Sequence, residues 1–168
     1  MFLFHPMRSL SVIGLPVAVT TYDGAVEWIL EHASKTDRAL AVEAANTHVA
    51  ALARHDAAFG ETMSRFDLIV PDGMPLVWAL NAALPAENQL KDRVYGPTLM
   101  LETLKATDGR PEVRHFLLGG KESTLEKLGT VFAERFPETS IAGTYSPPFG
   151  EWAEDEFERI CGKIRESG

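Results

Sequence analysis

Phe66-Asp67-Leu68-Ile69-Val70-Pro71-Asp72-Gly73-Met74-Pro75-Leu76 is the stretch that decides the fold. It reads as a short apolar strand that stops at a proline, exposes a carboxylate at its end, turns on a glycine and enters a helix. A strand that runs straight into a helix is half of a βα unit. In open α/β sheets ligands bind outside the carboxyl ends of the strands, so Asp72 is the first candidate for chemistry.

The same pattern recurs on both sides. Upstream, residues 39–46 (ALAVEAAN) form an apolar run ending in a polar residue, as expected of a strand buried on both faces. Thr47 then starts a helix whose face carries Val49, Leu52 and Ala53 and continues through Phe59, Met63 and Phe66 after a break near Asp56 to Gly60. Earlier still, residues 10–19 (LSVIGLPVAV) predict one strand or a pair of short extended pieces bent at Gly14 and Pro16. Val26, Ile29, Leu30 and Ala33 mark the helix that follows Thr20, Thr21 and Asp23.

Downstream, the helix through MPLVWALNAAL ends before Pro85, and a polar loop leads to Arg93-Val94-Tyr95-Gly96-Pro97. Pro97 suits the first turn of a helix that closes at Asp108-Gly109. Residues 113–120 (VRHFLLGG) predict a strand running into paired glycines, then a helix with Leu125, Leu128, Phe132 and Phe136 on one face. Residues 140–150 add a strand and a proline-rich loop, and the last helix places Phe157, Ile160, Cys161 and Ile164 together. The alternation predicts one α/β domain over residues 1–168, with a Rossmann-like, open, mainly parallel sheet and helices on both faces.

The totals narrow the function. The chain has 168 residues, of which 45% are hydrophobic, enough to bury a core as one domain. With 24 acidic against 16 basic residues the net charge is -8, which disfavours nucleic acid as a partner. The single cysteine, Cys161, has no partner for a disulfide and no C-x-x-C neighbour, which fits a reducing cytoplasm. The apolar start of the chain is broken by His5, Pro6, Arg8, Gly14 and Pro16 and reads as neither a signal peptide nor a membrane span.

Candidate motifs each have a plainer reading. Gly119 and Gly120 invite a phosphate-binding loop, because backbone N–H groups at a helix N-terminus favour anions. Glu122 nevertheless follows Lys121 where a Walker loop needs Ser or Thr, and no G-x-G-x-x-G occurs, so a tight turn explains them equally well. The five histidines lack metal-ligand spacing, and no D-x-D pair is present to hold a diphosphate through a metal. Asn46 and Asp72 end neighbouring strands and could meet at one crevice, or both could be helix caps. Arg93 offers a planar fork for a diphosphate, or is a surface arginine in a polar loop.

Five blocks in order, EAANTHVAALARHDAAF, FDLIVPDGMPLVWA, DRVYGPTLMLETL, VRHFLLGGKESTLEKL and FPETSIAGTYSPPFG, resemble the WecG/TagA/CpsF glycosyltransferases, family 26. The succession of PDG, RV-x-G and a strand ending in LLGG carries the specificity, and the resemblance runs from about Val12 to the last helix. It implies an inverting, metal-independent enzyme without a cofactor. Such an enzyme moves a sugar, often N-acetylmannosamine, from a UDP-sugar donor to a polyprenyl-diphosphate-linked acceptor. The products serve teichoic acid, enterobacterial common antigen, capsule or exopolysaccharide assembly. The implied location is the cytoplasm, peripheral at the inner face of the plasma membrane where the acceptor lies.

By the same resemblance Asp72 matches the general base, Asn46 the donor-pocket asparagine and Arg93 the arginine suited to the leaving diphosphate. Gly73 and Gly96 match turn glycines, and Gly119 and Gly120 the pair that lets backbone approach the nucleotide. The family often carries Thr where this chain has Ala44. It also continues with a further strand, a glutamine–glutamate block and a basic region that this sequence does not contain. Two expectations follow: a homo-oligomer or partner chain that supplies those parts, or, alternatively, a non-catalytic UDP-binding module or interaction protein.

Overall fold

In the computed structural model, which describes residues 7–33 and 38–168, the chain divides into two compact units, one up to Thr103 and one from Leu104 to Gly168. Residues 1–6, His5 and Pro6 among them, lie outside the described residues. Among the described residues no helix is long and apolar enough to cross a membrane.

The first unit opens with β1 (Ser9–Val12) and β2 (Leu15–Ala18), an antiparallel hairpin. Of the two expectations for this stretch, the pair of short pieces is the one observed. Ile13 and Gly14 both take positive φ (48° and 101°), the backbone that a two-residue hairpin loop of matching twist requires. α1 (Tyr22–Ala33) follows, then β3 (Val42–Ala45), α2 (Thr47–His55), α3 (Ala57–Met63), β4 (Leu68–Pro71) and α4 (Met74–Asn81). The expected break falls at Asp56, which ends α2 and caps α3 by accepting from the Ala58 and Phe59 N–H groups. α5 (Gly96–Thr107) begins in this unit and ends in the next.

β3 and β4 are parallel, and their register places Ala45 opposite Pro71. Every residue of β4 is buried. Ile69 joins Ala45, Ala50, Leu76 and Leu80 in a core completed by Val12, Leu15 and Val17 of the hairpin. At about 25 cal/mol per Å2 of apolar surface removed from water, such a fully buried strand holds the unit together. Its amino end is fixed by Asp67, which pairs with both terminal nitrogens of Arg38 and accepts the Ala41 N–H at 3.0 Å. The Arg38 hydrogen bonds hold the Asp67 carboxyl below its ordinary range.

The second unit is a βαβα arrangement: β5 (Arg114–Leu118), α6 (Glu122–Arg135), β6 (Ser140–Tyr145) and α7 (Glu154–Glu166). β5 and β6 are parallel, with an irregularity after His115 that leaves Ala142 without an opposite residue. Leu125, Phe132, Phe136 and Ile160 are buried as their spacing predicts, whereas Phe157, Cys161 and Ile164, expected beside Ile160 on the last helix, are exposed. Two polar groups are buried with partners. The Thr107 hydroxyl donates to the Leu104 carbonyl at 2.9 Å and shares a 2.7 Å hydrogen bond with His115 Nε2. Glu156, 5% exposed, accepts from the Tyr145 hydroxyl at 2.7 Å and from Arg159 at 2.6 Å. The α/β class and the parallel pairing expected from the sequence are both observed, with the β1–β2 hairpin as the antiparallel exception.

Candidate active site

Because Ala45 and Pro71 are in register, the chain leaves both strands at one level, and Asn46 and Asp72 emerge side by side. The Asp72 N–H donates to the Ala45 carbonyl at 2.8 Å, carrying the pairing one residue past the strands. The two side chains then part in role.

Asn46 is a helix cap. Its Oδ1 accepts from the His48 and Val49 N–H groups at 2.9 and 3.1 Å, which satisfies two of the unpaired donors at the start of α2. The cap consumes only the carbonyl half of the amide. Among the described residues the Nδ2 hydrogens have no partner, so the cap fixes a donor at an exposed edge. The cap reading of Asn46 is the one observed, and it leaves the amide hydrogens exposed.

Asp72 is not a cap, contrary to one of the two readings its spacing allows, because Gly73 occupies the cap position of α4. The half-buried Asp72 carboxylate reaches across to α5, where Oδ2 accepts from the Gly96 N–H at 3.3 Å. It thus sits just before α4 and against the first residue of α5, where the positive ends of two helix dipoles favour an anion. Gly96 is closely approached: a Cβ there would lie 3.2 Å from the Ala44 methyl, a tight contact, and 3.8 Å from Asp72 Oδ2, an ordinary one. Gly73 stands at the bend from β4 into α4, as expected, but its backbone does not demand a glycine. Its φ of 177° is extended backbone open to any residue, and a Cβ would meet only ordinary contacts with Pro75 and Asn46.

The arm that carries Arg93 is held by successive backbone bonds. Val94 donates to the Pro71 carbonyl at 2.8 Å, Tyr95 to the Tyr22 hydroxyl at 2.9 Å and Gly96 to Asp72. The Arg93 guanidinium carbon lies 4.8 Å from the centre of the Tyr95 ring, a cation–π contact at an exposed position. Asn46, Asp72, Gly73, Gly96 and the Arg93 arm are therefore gathered at the carboxyl ends of β3 and β4.

Two residues of this region escaped the sequence reading. Glu43, on β3, carries a carboxyl raised above its ordinary range first by burial and then by the negative charge of Asp72. Its signal was a lone charge inside an otherwise apolar strand. Tyr22 gave none, because its role depends on a bond across 73 positions.

Gly119 and Gly120 lie in the second unit, where φ values of 105° and 74° make the tight turn from β5 into α6. The Gly119 N–H donates to the Tyr145 carbonyl at 2.9 Å and the Ser146 hydroxyl to the Gly120 carbonyl at 2.7 Å. No side chain caps the start of α6 at Lys121, so its first N–H groups are open to an anion. Among the described residues no group of three or more His, Cys, Asp or Glu side chains is placed to hold a metal ion. A cavity of about 240 Å3 lined by Trp28, His32 and Leu40 lies at the amino end of β3, away from the gathered residues.

Chemically, the first unit presents a carboxylate that can accept a proton, a fixed amide donor and a guanidinium. Residues 10–168 match the family model described as the glycosyl transferase WecG/TagA/CpsF family. No curated protein matches the chain.

Proposed function

The chain belongs to the WecG/TagA/CpsF family of glycosyltransferases, and from that membership we propose a reaction for it and roles for its residues. The family's activity is sugar transfer in cell-envelope polysaccharide synthesis. The reaction proposed is transfer of N-acetylmannosamine or a related hexose from a UDP-sugar to a polyprenyl-diphosphate-linked acceptor, with inversion at the anomeric carbon. The observation that carries it is the Asp72 carboxylate at the end of β4, uncommitted to capping and oriented by the Gly96 N–H.

In this reading the acceptor hydroxyl oxygen attacks the anomeric carbon from the face opposite the diphosphate. Asp72 takes the hydroxyl proton as the new carbon–oxygen bond forms. The bond between the anomeric carbon and the phosphate oxygen breaks, and UDP leaves with the electron pair. The growing charge on that oxygen is met by Arg93, whose planar fork matches two phosphate oxygens. Asn46 Nδ2 donates to the donor sugar-nucleotide. No D-x-D pair exists to share that work through a metal. The acceptor is a lipid, so the encounter takes place at the cytoplasmic face of the membrane.

The test is transfer from a panel of UDP-hexoses and UDP-N-acetylhexosamines to a lipid-diphosphate-linked sugar, with the anomeric configuration of the product read by NMR. Inverted product supports the reading. A retained configuration, or hydrolysis of donor with no acceptor product, contradicts it.

A further inference from the structure

The Arg93 arm is exposed, yet three consecutive N–H groups, those of Val94, Tyr95 and Gly96, are each held. Two of the three partners, the Pro71 carbonyl and Asp72, come from the end of β4. The third is the hydroxyl of Tyr22, the first residue of α1. Tyr95 itself is 41% exposed, so its ring is directed mainly by where its backbone is fixed. Arg93 rests on that ring and has no ion-pair partner among the described residues. A long cationic side chain left free would lose rotamer freedom on binding an anion, and holding it beforehand removes part of that cost.

Resting on the reading of Arg93 as the diphosphate's partner, we propose that Tyr22 and Tyr95 form a clamp that presets the Arg93 guanidinium for the diphosphate of the donor. Tyr22 is a positioning residue: it acts through the Tyr95 N–H, and the Tyr95 ring then sets the guanidinium. The Tyr22 oxygen accepts in this bond, so its own hydrogen stays available to a bound ligand. The clamp joins α1 to the arm that leads into α5 through a single side-chain oxygen.

The test is titration of UDP and of uridine into the wild-type chain and the variants Tyr22→Phe, Tyr95→Phe, Tyr95→Ala and Arg93→Ala, with Tyr22→Phe also combined with Arg93→Ala. Tyr22→Phe weakens UDP by about three- to tenfold, the scale of one hydrogen bond, and leaves uridine unchanged. Tyr95→Ala does the same, Tyr95→Phe behaves as wild type, and Tyr22→Phe adds nothing once Arg93 is gone. In the ligand-free chain the Arg93 Nε–H proton resonance is shifted by the Tyr95 ring, and Tyr22→Phe reduces that shift. UDP affinity unaffected by Arg93→Ala overturns the reading of Arg93 itself. UDP affinity lost with Arg93→Ala but kept with Tyr22→Phe overturns the clamp alone. Equal weakening of UDP and uridine also overturns it, because that pattern marks general damage. If the wild type binds no UDP the donor reading falls, and an Arg93 resonance indifferent to Tyr22→Phe then overturns the clamp by itself.

Discussion

Replacing Asn46 separates the two roles that its geometry assigns to one amide. Asn46→Ala removes both roles. The His48 and Val49 N–H groups lose their acceptor, a change that costs about 1 kcal/mol for a helix cap. For a chain of this length that lowers Tm by about 2–4 °C. Asn46→Asp keeps the acceptor, and aspartate caps as well as asparagine. The gain of a charge at the start of α2 is offset by its nearness to Asp72, so stability stays within about 0.5 kcal/mol of wild type. The donor hydrogens are gone, however, and a hydrogen bond to a charged group is worth about 1.5–3 kcal/mol. UDP affinity therefore falls about 10- to 150-fold in both variants, while only Asn46→Ala melts early. Calorimetric titration and thermal melting read the two effects separately. An Asn46→Asp chain that melts as early as Asn46→Ala refutes the cap argument, and one that binds UDP like wild type refutes the donor argument.

Other consequences lie in the second unit. Burial holds His115 below its ordinary range, so on acidification the unfolded chain takes up a proton that the folded chain does not. Stability contributed by the neutral ring is intact above the unfolded value of about 6.5 and falls as pH drops through it. Tm measured from pH 7.5 to 5 declines, and His115→Gln flattens that decline; an unchanged slope contradicts the assignment. Tyr145→Phe leaves the buried Glu156 with one partner fewer and costs about 1 kcal/mol, a Tm loss of about 2–4 °C, with no change in UDP affinity. A Tyr145→Phe chain that melts like wild type would mean that water replaces the hydroxyl.

What the sequence revealed divides along physical lines. β4 and its flanking helix were legible because an unbroken apolar run ending in Pro71 has few other homes, and α2 because Asn46 and Thr47 announce its start. The same logic put Asn46 and Asp72 at one end of a parallel pair. Spacing could not say which of them caps a helix, since both are good caps. That depended on where Gly73 begins α4 and on α5 approaching closely enough for the Gly96 N–H to reach Asp72. The hairpin at Ile13 and Gly14 was ambiguous for a related reason: a bend and a tight turn use the same residues, and an isoleucine at positive φ is not foreseeable from propensity. Tyr22 was invisible, because its part is set by a tertiary contact that no local pattern encodes, whereas Glu43 was marked only by being a lone charge in an apolar strand.

Transfer by the Asp72→Asn chain measures the central claim. The substitution keeps the size of the side chain and an oxygen for the Gly96 N–H, and removes the negative charge and with it the ability to take a proton. Steady-state transfer from the preferred UDP-sugar should show kcat reduced about 100- to 10,000-fold, with UDP affinity within about twofold of wild type. An Asp72→Asn chain that transfers sugar at the wild-type rate would contradict the account, because the proton would then be leaving by another route.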